Sequence, residues 1–134
     1  MTFIDTNIFV YSVDVRDLRK QHVAKSIVMG ALKSENFVIS AQVLNEFSNV
    51  ALCKLGKRQD EVKIFLKMLS PIHTVPVAPE WTPRAIDIMA QYGLQFYDSL
   101  LIAAAEANGC DEILTEDLAD GQVYCGVKAV NPFK

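Results

Sequence analysis

The chain has 134 residues, 13 basic and 16 acidic side chains for a net charge of −3, and 51% hydrophobic against 22% charged residues. That is enough apolar material for the core of one domain, expected to span residues 1–134 because no Pro/Gly/Ser-rich or highly charged stretch divides it. The charge balance excludes a globally basic nucleic-acid binder, and the longest apolar run, Leu100 to Ala105, is far short of the roughly 20 residues that span a membrane.

No basic region, long apolar stretch or small-residue cleavage site marks the N-terminus for export, so a cytoplasmic location is expected. The positive mean hydropathy leaves apolar surface for a partner, with self-association the first expectation. Cys53, Cys110 and Cys125 are odd in number and form no C-x-x-C pair, which argues against a disulfide framework or a zinc site and for reduced thiols.

In chain order, MTFIDTNIFV opens as a short apolar strand through Phe3 and Ile4. It delivers Asp5 where a parallel strand would open into a loop, with Thr6 and Asn7 directly behind. Taken alone, Asp5 is a helix cap ahead of Ile8, Phe9 and Val10. The run IFVYSVD predicts one or two helical turns, broken by the charged stretch Asp14 to Arg19. A longer amphipathic helix follows to about Gly30, with Val23, Ile27, Val28 and Ala31 at helical spacing and Asp17 suited to its N-terminal dipole. FVIS, residues 37–40, has the apolar, β-branched character of a buried parallel strand, and Ser40 is expected to cap the next helix. That helix runs from Ala41 to about Leu55; Val43, Leu44, Phe47, Val50 and Ala51 trace its inner face and leave Glu46 at the edge. Gln59 to Leu69 repeats the pattern until Ser70-Pro71 stops it.

HTVPV, residues 73–77, is strand-like, though Pro76 argues for an edge position or an early end. A helix from about Thr82 to Gln91 stops at Gly93, and Trp81 before it reads as a packing residue. The segment Asp98 to Asn108 is the most helical in the chain, with Asp98 at its N-terminus and Gly109 at its C-terminal cap. EILT, residues 112–115, is another apolar strand and delivers Thr115, Glu116 and Asp117; VKAVNPF supplies a last strand before Pro132. This alternation predicts an α/β fold with a mostly parallel central sheet flanked by helices.

Four acidic residues stand at element ends or edges: Asp5, Glu46, Asp98 and Asp117. Singly, Asp5 and Asp98 read as caps, Glu46 as a solvated helix residue and Asp117 as a turn residue. Together, parallel topology would carry Asp5 and Asp117 to one sheet edge, and a carboxylate cluster there calls for a divalent cation such as Mg²⁺ or Mn²⁺. His22 and His73 lie far from these residues in sequence, which gives a zinc centre or a His-based mechanism little support. Basic residues concentrate at Arg16, Arg19, Lys20 and Lys25, and again at Lys54, Lys57, Arg58, Lys63 and Lys67; each cluster alone reads as a solvated helix face.

The series I-D-T-N at Ile4 to Asn7, N-E-F at Asn45 to Phe47, Y-D-S-L-L-I-A-A-A at Tyr97 to Ala105 and L-T-E-D-L at Leu114 to Leu118 resembles the PIN domain, especially the small bacterial VapC-type toxins, over essentially the whole chain. The resemblance implies a three-layer PIN-like fold and a metal-dependent endoribonuclease, the toxin of a type II toxin–antitoxin pair. It implies that Asp5, Glu46, Asp98 and Asp117 hold Mg²⁺ or Mn²⁺, that Asn7 and Thr115 support them, and that Asp120 is a further acidic member through water or a second metal. The segment Ala119-Asp120-Gly121-Gln122 departs from the family pattern of an acidic residue followed by Phe. The implied partners are an RNA substrate, held by the basic helices across a homodimer groove, and an antitoxin whose C-terminal segment covers the acidic site. Hydrolysis by water would leave 5′-phosphate and 3′-hydroxyl ends.

Two alternatives remain open on the sequence. A phosphatase or phosphotransferase would use Asp5 as nucleophile, but Asn7 stands where such an enzyme needs a second Asp. A non-catalytic module would keep the PIN fold for RNA or protein contacts.

Overall fold

The first strand, β1 (Thr2–Ile4), lies inside the sheet rather than at its edge, and the rest of the chain is laid down on either side of it. The computed structural model describes residues 1–134. From β1 the chain runs through helices α1 (Thr6–Val13) and α2 (Leu18–Leu32) to β2 (Phe37–Ser40), and through α3 (Ala41–Cys53) and α4 (Gln59–Met68) to β3 (His73–Val75). It then returns across the sheet through α5 (Trp81–Tyr92) and α6 (Phe96–Ala107) to β4 (Glu112–Leu114), and ends in β5 (Val123–Tyr124) and β6 (Val127–Val130).

The strand order is β3-β2-β1-β4-β6-β5, with every pairing parallel except β5 with β6. Crossovers between parallel strands are right-handed, so the outward path through β2 and β3 puts α1–α4 on one face and the return to β4 puts α5 and α6 on the other. The packing agrees: α1 contacts α2 and α3, α3 contacts α4, and α5 packs on α6. The result is the expected three layers. The short strands have apolar centres because both faces are covered, and Phe3, Ile4, Val38, Ile39 and Ile113 are fully buried.

Local chemistry accounts for most element boundaries. Asp17 caps α2 by accepting the Lys20 N–H at 3.0 Å. The helix continues to Leu32, two residues past the stop expected at Gly30. Ser40 occupies the position before α3 but makes no capping hydrogen bond, contrary to expectation. Gly93, at φ 68°, ends α5 in the left-handed conformation open to glycine. Strand β3 stops at Val75, directly before Pro76, which is the early end expected of that proline, and it also lies at the sheet edge.

The sequence reading missed β5. Cys125 and Gly126, at φ 52° and 80°, form the two-residue turn that folds β5 antiparallel onto β6. That turn type favours Asn-Gly or Asp-Gly, and Cys-Gly carries no such signal.

Candidate functional site

The chain moves outward from β1 through β2 and β3, then returns to the other side of β1 at β4. A crevice forms at the carboxyl ends of neighbouring strands where the direction of winding reverses in this way. Ile4 is in register with Leu114, and the Asp5 N–H donates to the Leu114 carbonyl at 3.0 Å. Asp5 and Thr115 are therefore the next residues on adjacent strands, and their side chains meet: Thr115 Oγ1 donates to Asp5 Oδ2 at 2.7 Å, out of water. Asp5 Oδ1 accepts the Thr6 N–H at 2.6 Å, which also makes Asp5 the cap of α1. The capping and site readings of Asp5 thus describe one side chain with two oxygens.

The other members are tied to this pair. Asn7 Nδ2 donates to Asp5 Oδ2 at 3.3 Å and to Asp117 Oδ2 at 3.1 Å, and the Asp117 N–H donates to Thr115 Oγ1 at 3.1 Å. On α3, Glu46 accepts from Thr6 Oγ1 at 2.9 Å and from Gln42 Nε2 at 2.7 Å. Asp98 lies inside the first turn of α6, whose cap position is held by Gln95. The cap role considered for Asp98 is not realised, because the helix begins two residues earlier at Phe96. All four carboxylates line one cavity of about 190 Å³, walled by Phe3, Trp81, Leu101 and Ala104 with Tyr97 at its rim. Trp81 is buried there, as a packing residue.

Asp5 is buried, Asp98 is half-buried, and Glu46 and Asp117 reach the surface. Burial is the main cause that raises the Asp5 carboxyl to about 6; Asp117 and Glu46 add repulsion, while the Thr115 and Thr6 hydrogen bonds oppose the rise. Burial also raises Asp98, with Asp117 repelling it. Asp117 is raised by burial and then by Glu116, against a lowering by the Asn7 amide. The donor set is all oxygen, suited to a hard divalent cation, and Asn7 Oδ1 is buried with no hydrogen-bond partner. These features fit a cation. As positioned, however, no three Asp, Glu, His or Cys side chains stand close enough to share one ion, so a shared site requires side-chain movement toward the cavity centre.

Asp120 is not brought to the cavity. Its Oδ1 accepts the Asn131 N–H at 2.8 Å and its Oδ2 lies 3.7 Å from Lys134 Nζ, so it fastens the C-terminal tail. His22 and His73 are exposed and outside the cavity. Much of the first basic cluster is committed within the fold: Arg16 pairs with buried Asp14, Arg19 donates to the Phe133 carbonyl at 2.9 Å, and Lys20 pairs with Glu116 at 2.9 Å. In the second cluster Arg58 pairs with Asp60, whereas Lys54, Lys57, Lys63 and Lys67 make no ion pair. Sequence reasoning missed Thr6 and Gln42 as partners of Glu46. The i, i+4 spacing of Gln42 and Glu46 was the one available signal.

A structure of a toxin–antitoxin complex from Klebsiella pneumoniae is similar at 20% identity, with 98% of each chain covered and a TM-score of 0.73. VapC20 of Mycobacterium tuberculosis, described as a sarcin-ricin loop cleaving toxin, is similar at 18% identity over 84% of this chain and 87% of that one, with a TM-score of 0.66. VapBC2 from Rickettsia felis, bound to a fragment of its promoter DNA, is similar at 18% identity over 96% of both chains, with a TM-score of 0.67. At these identities the likeness is one of fold. No curated protein matches the sequence. The PIN domain family model matches residues 2–119, and with four ordered motifs and the winding-reversal crevice on one fold, the chain belongs to the PIN domain family.

Proposed function

We propose that this protein is a metal-dependent endoribonuclease, the toxin of a type II toxin–antitoxin pair. The observation that carries this is the arrival of Asp5, Glu46, Asp98 and Asp117, from four separate parts of the chain, in one cavity at the end of β1. Asp5, Glu46, Asp98 and Asp117 would hold Mg²⁺ or Mn²⁺, with Asn7 and Thr115 orienting Asp5. The cation, when bound, would polarise a phosphodiester and lower the pKa of an attacking water. Around it, Thr115, Thr6 and Asn7 keep Asp5 aimed into the cavity, and Phe3, Trp81 and Leu101 line its apolar side, while Glu46 and Asp117 stand at its open side. Preference for RNA would come from binding, because water attack makes no use of the 2′-hydroxyl.

The partners that go with this reading are an RNA substrate, an antitoxin and a second copy of the chain, in the cytoplasm. The unpaired lysines after α3 support the first, and exposed Ile86 and Tyr97 on the α5–α6 layer supply apolar area for association. The toxin–antitoxin complexes among the similar structures favour an antitoxin. No helix is long and apolar enough to cross a membrane.

Incubation of purified protein with a mixed RNA pool in Mg²⁺, Mn²⁺ or chelator, beside Asp5→Ala, tests the reading. Metal-dependent cuts with 5′-phosphate ends, absent in Asp5→Ala, are expected. RNA that binds but stays intact with both metals would instead favour a non-catalytic PIN module, a reading consistent with carboxylates that do not yet converge on one point.

A further inference from the structure

Gln42 stands one helical turn before Glu46, so the two side chains share a face of α3. On a solvated helix such a pair steadies only the helix. Here the pair borders the acidic cavity, and the second oxygen of Glu46 is taken by a different element. Gln42 Nε2 donates to Oε1 at 2.7 Å, and Thr6 Oγ1, from the first residue of α1, donates to Oε2 at 2.9 Å. Thr6 is itself fixed, because its N–H donates to Asp5 Oδ1 at 2.6 Å. The carboxylate plane of Glu46 is therefore set by donors on both sides, and through Thr6 it is referenced to Asp5. Asp98, in contrast, makes no side-chain hydrogen bond.

We infer that Gln42 and Thr6 are positioning residues that clamp Glu46 into register with Asp5 for cation binding, an inference that rests on the metal reading above. Each Glu46 oxygen keeps a lone pair for a cation while the clamp removes its rotational freedom. Partners that orient metal-binding carboxylates in this way typically carry about tenfold to a hundredfold in metal affinity. The clamp also sets the direction from which Glu46 approaches the cavity, a geometry that the helix alone would leave free.

Calorimetric titration of Mn²⁺ into the wild type, Gln42→Met, Thr6→Val and Thr6→Ser tests this, with melting curves in chelator as the control for folding. Gln42→Met keeps the length and apolar stem of the side chain, and an unchanged apo melting temperature is expected for it. Its Mn²⁺ dissociation constant should rise about tenfold or more. Thr6→Val should behave alike, and Thr6→Ser, which keeps the hydroxyl, should restore affinity. A Gln42→Met protein that binds Mn²⁺ like the wild type overturns the inference and leaves the metal reading intact. A wild type that takes up no Mn²⁺ overturns both.

Discussion

Thr115 and Asp5, on neighbouring parallel strands and each one residue beyond the registered pair Ile4 and Leu114, share a buried hydrogen bond of 2.7 Å. It joins the two halves of the winding and is among the interactions that lower the Asp5 carboxyl against burial. Thr115→Val keeps the shape but leaves a buried carboxylate oxygen short of a donor. At neutral pH it should cost about 1–3 kcal/mol in denaturant unfolding. At pH 5 the loss should shrink, because a protonated Asp5 tolerates the apolar neighbour. Thr115→Ser should be close to wild type at both pH values.

Asp5 also predicts an unusual pH dependence. Its folded value of about 6 lies above the ordinary 3.8, so between those values the folded state binds the proton more readily than the unfolded chain. The contribution of this group to stability is therefore greatest below pH ~4 and falls as pH rises through ~6, by about 3 kcal/mol in all. Urea unfolding of the metal-free protein at pH 5 and pH 7.5 should show that slope, and Asp5→Asn should flatten it. A slope that survives Asp5→Asn belongs to another group.

Asp98 is half-buried, repelled by Asp117 and makes no side-chain hydrogen bond. Its place in the first turn of α6 offers a favourable helix dipole of about 0.3–1 kcal/mol, which opposes those costs. Asp98→Asn should leave the chelated protein within about 0.5 kcal/mol of wild type while abolishing metal-dependent RNA cleavage. Strong destabilisation of the apo protein would make Asp98 a structural residue.

Metal should stabilise the wild type for the same electrostatic reason, since it relieves repulsion that the folded state alone carries. At a free Mn²⁺ concentration of 100 times its dissociation constant, stability should rise by about 2.7 kcal/mol. Thermal melts with and without chelator read this directly, and Asp5→Asn should lose most of the shift.

The two basic clusters should behave differently. Lys54 and Lys57 are unpaired; Lys54 ends α3 about 12 Å along its axis from Glu46, and Lys57 lies in the loop that follows. Replacing both with Ala should weaken RNA binding and flatten the log–log salt slope by about 1.4, the value for two lost contacts to a single strand. Lys20 is held by Glu116 and lies over the Tyr11 ring, 4.5 Å from its centroid. Lys20→Met should leave the salt slope unchanged and lower stability by about 1 kcal/mol.

What the sequence determined by itself was local: short apolar strands, amphipathic helices, and carboxylates at their ends. Those features depend on residue spacing within one turn or one strand, which is why Asp5, Glu46, Asp98 and Asp117 could be singled out without coordinates. Even the end of β3 at Val75 was legible, because Pro76 cannot donate to a neighbouring strand. Only the tertiary structure decided that β1 lies between β2 and β4, and hence that Thr115 donates to Asp5 across 110 positions of sequence. The same placement made Thr6 the link between Asp5 and Glu46, turned Asp120 to the C-terminal tail, and committed Lys20 to Glu116. Sheet order and long-range side-chain partners arise from competition among many apolar contacts for one core, and no local pattern encodes that outcome.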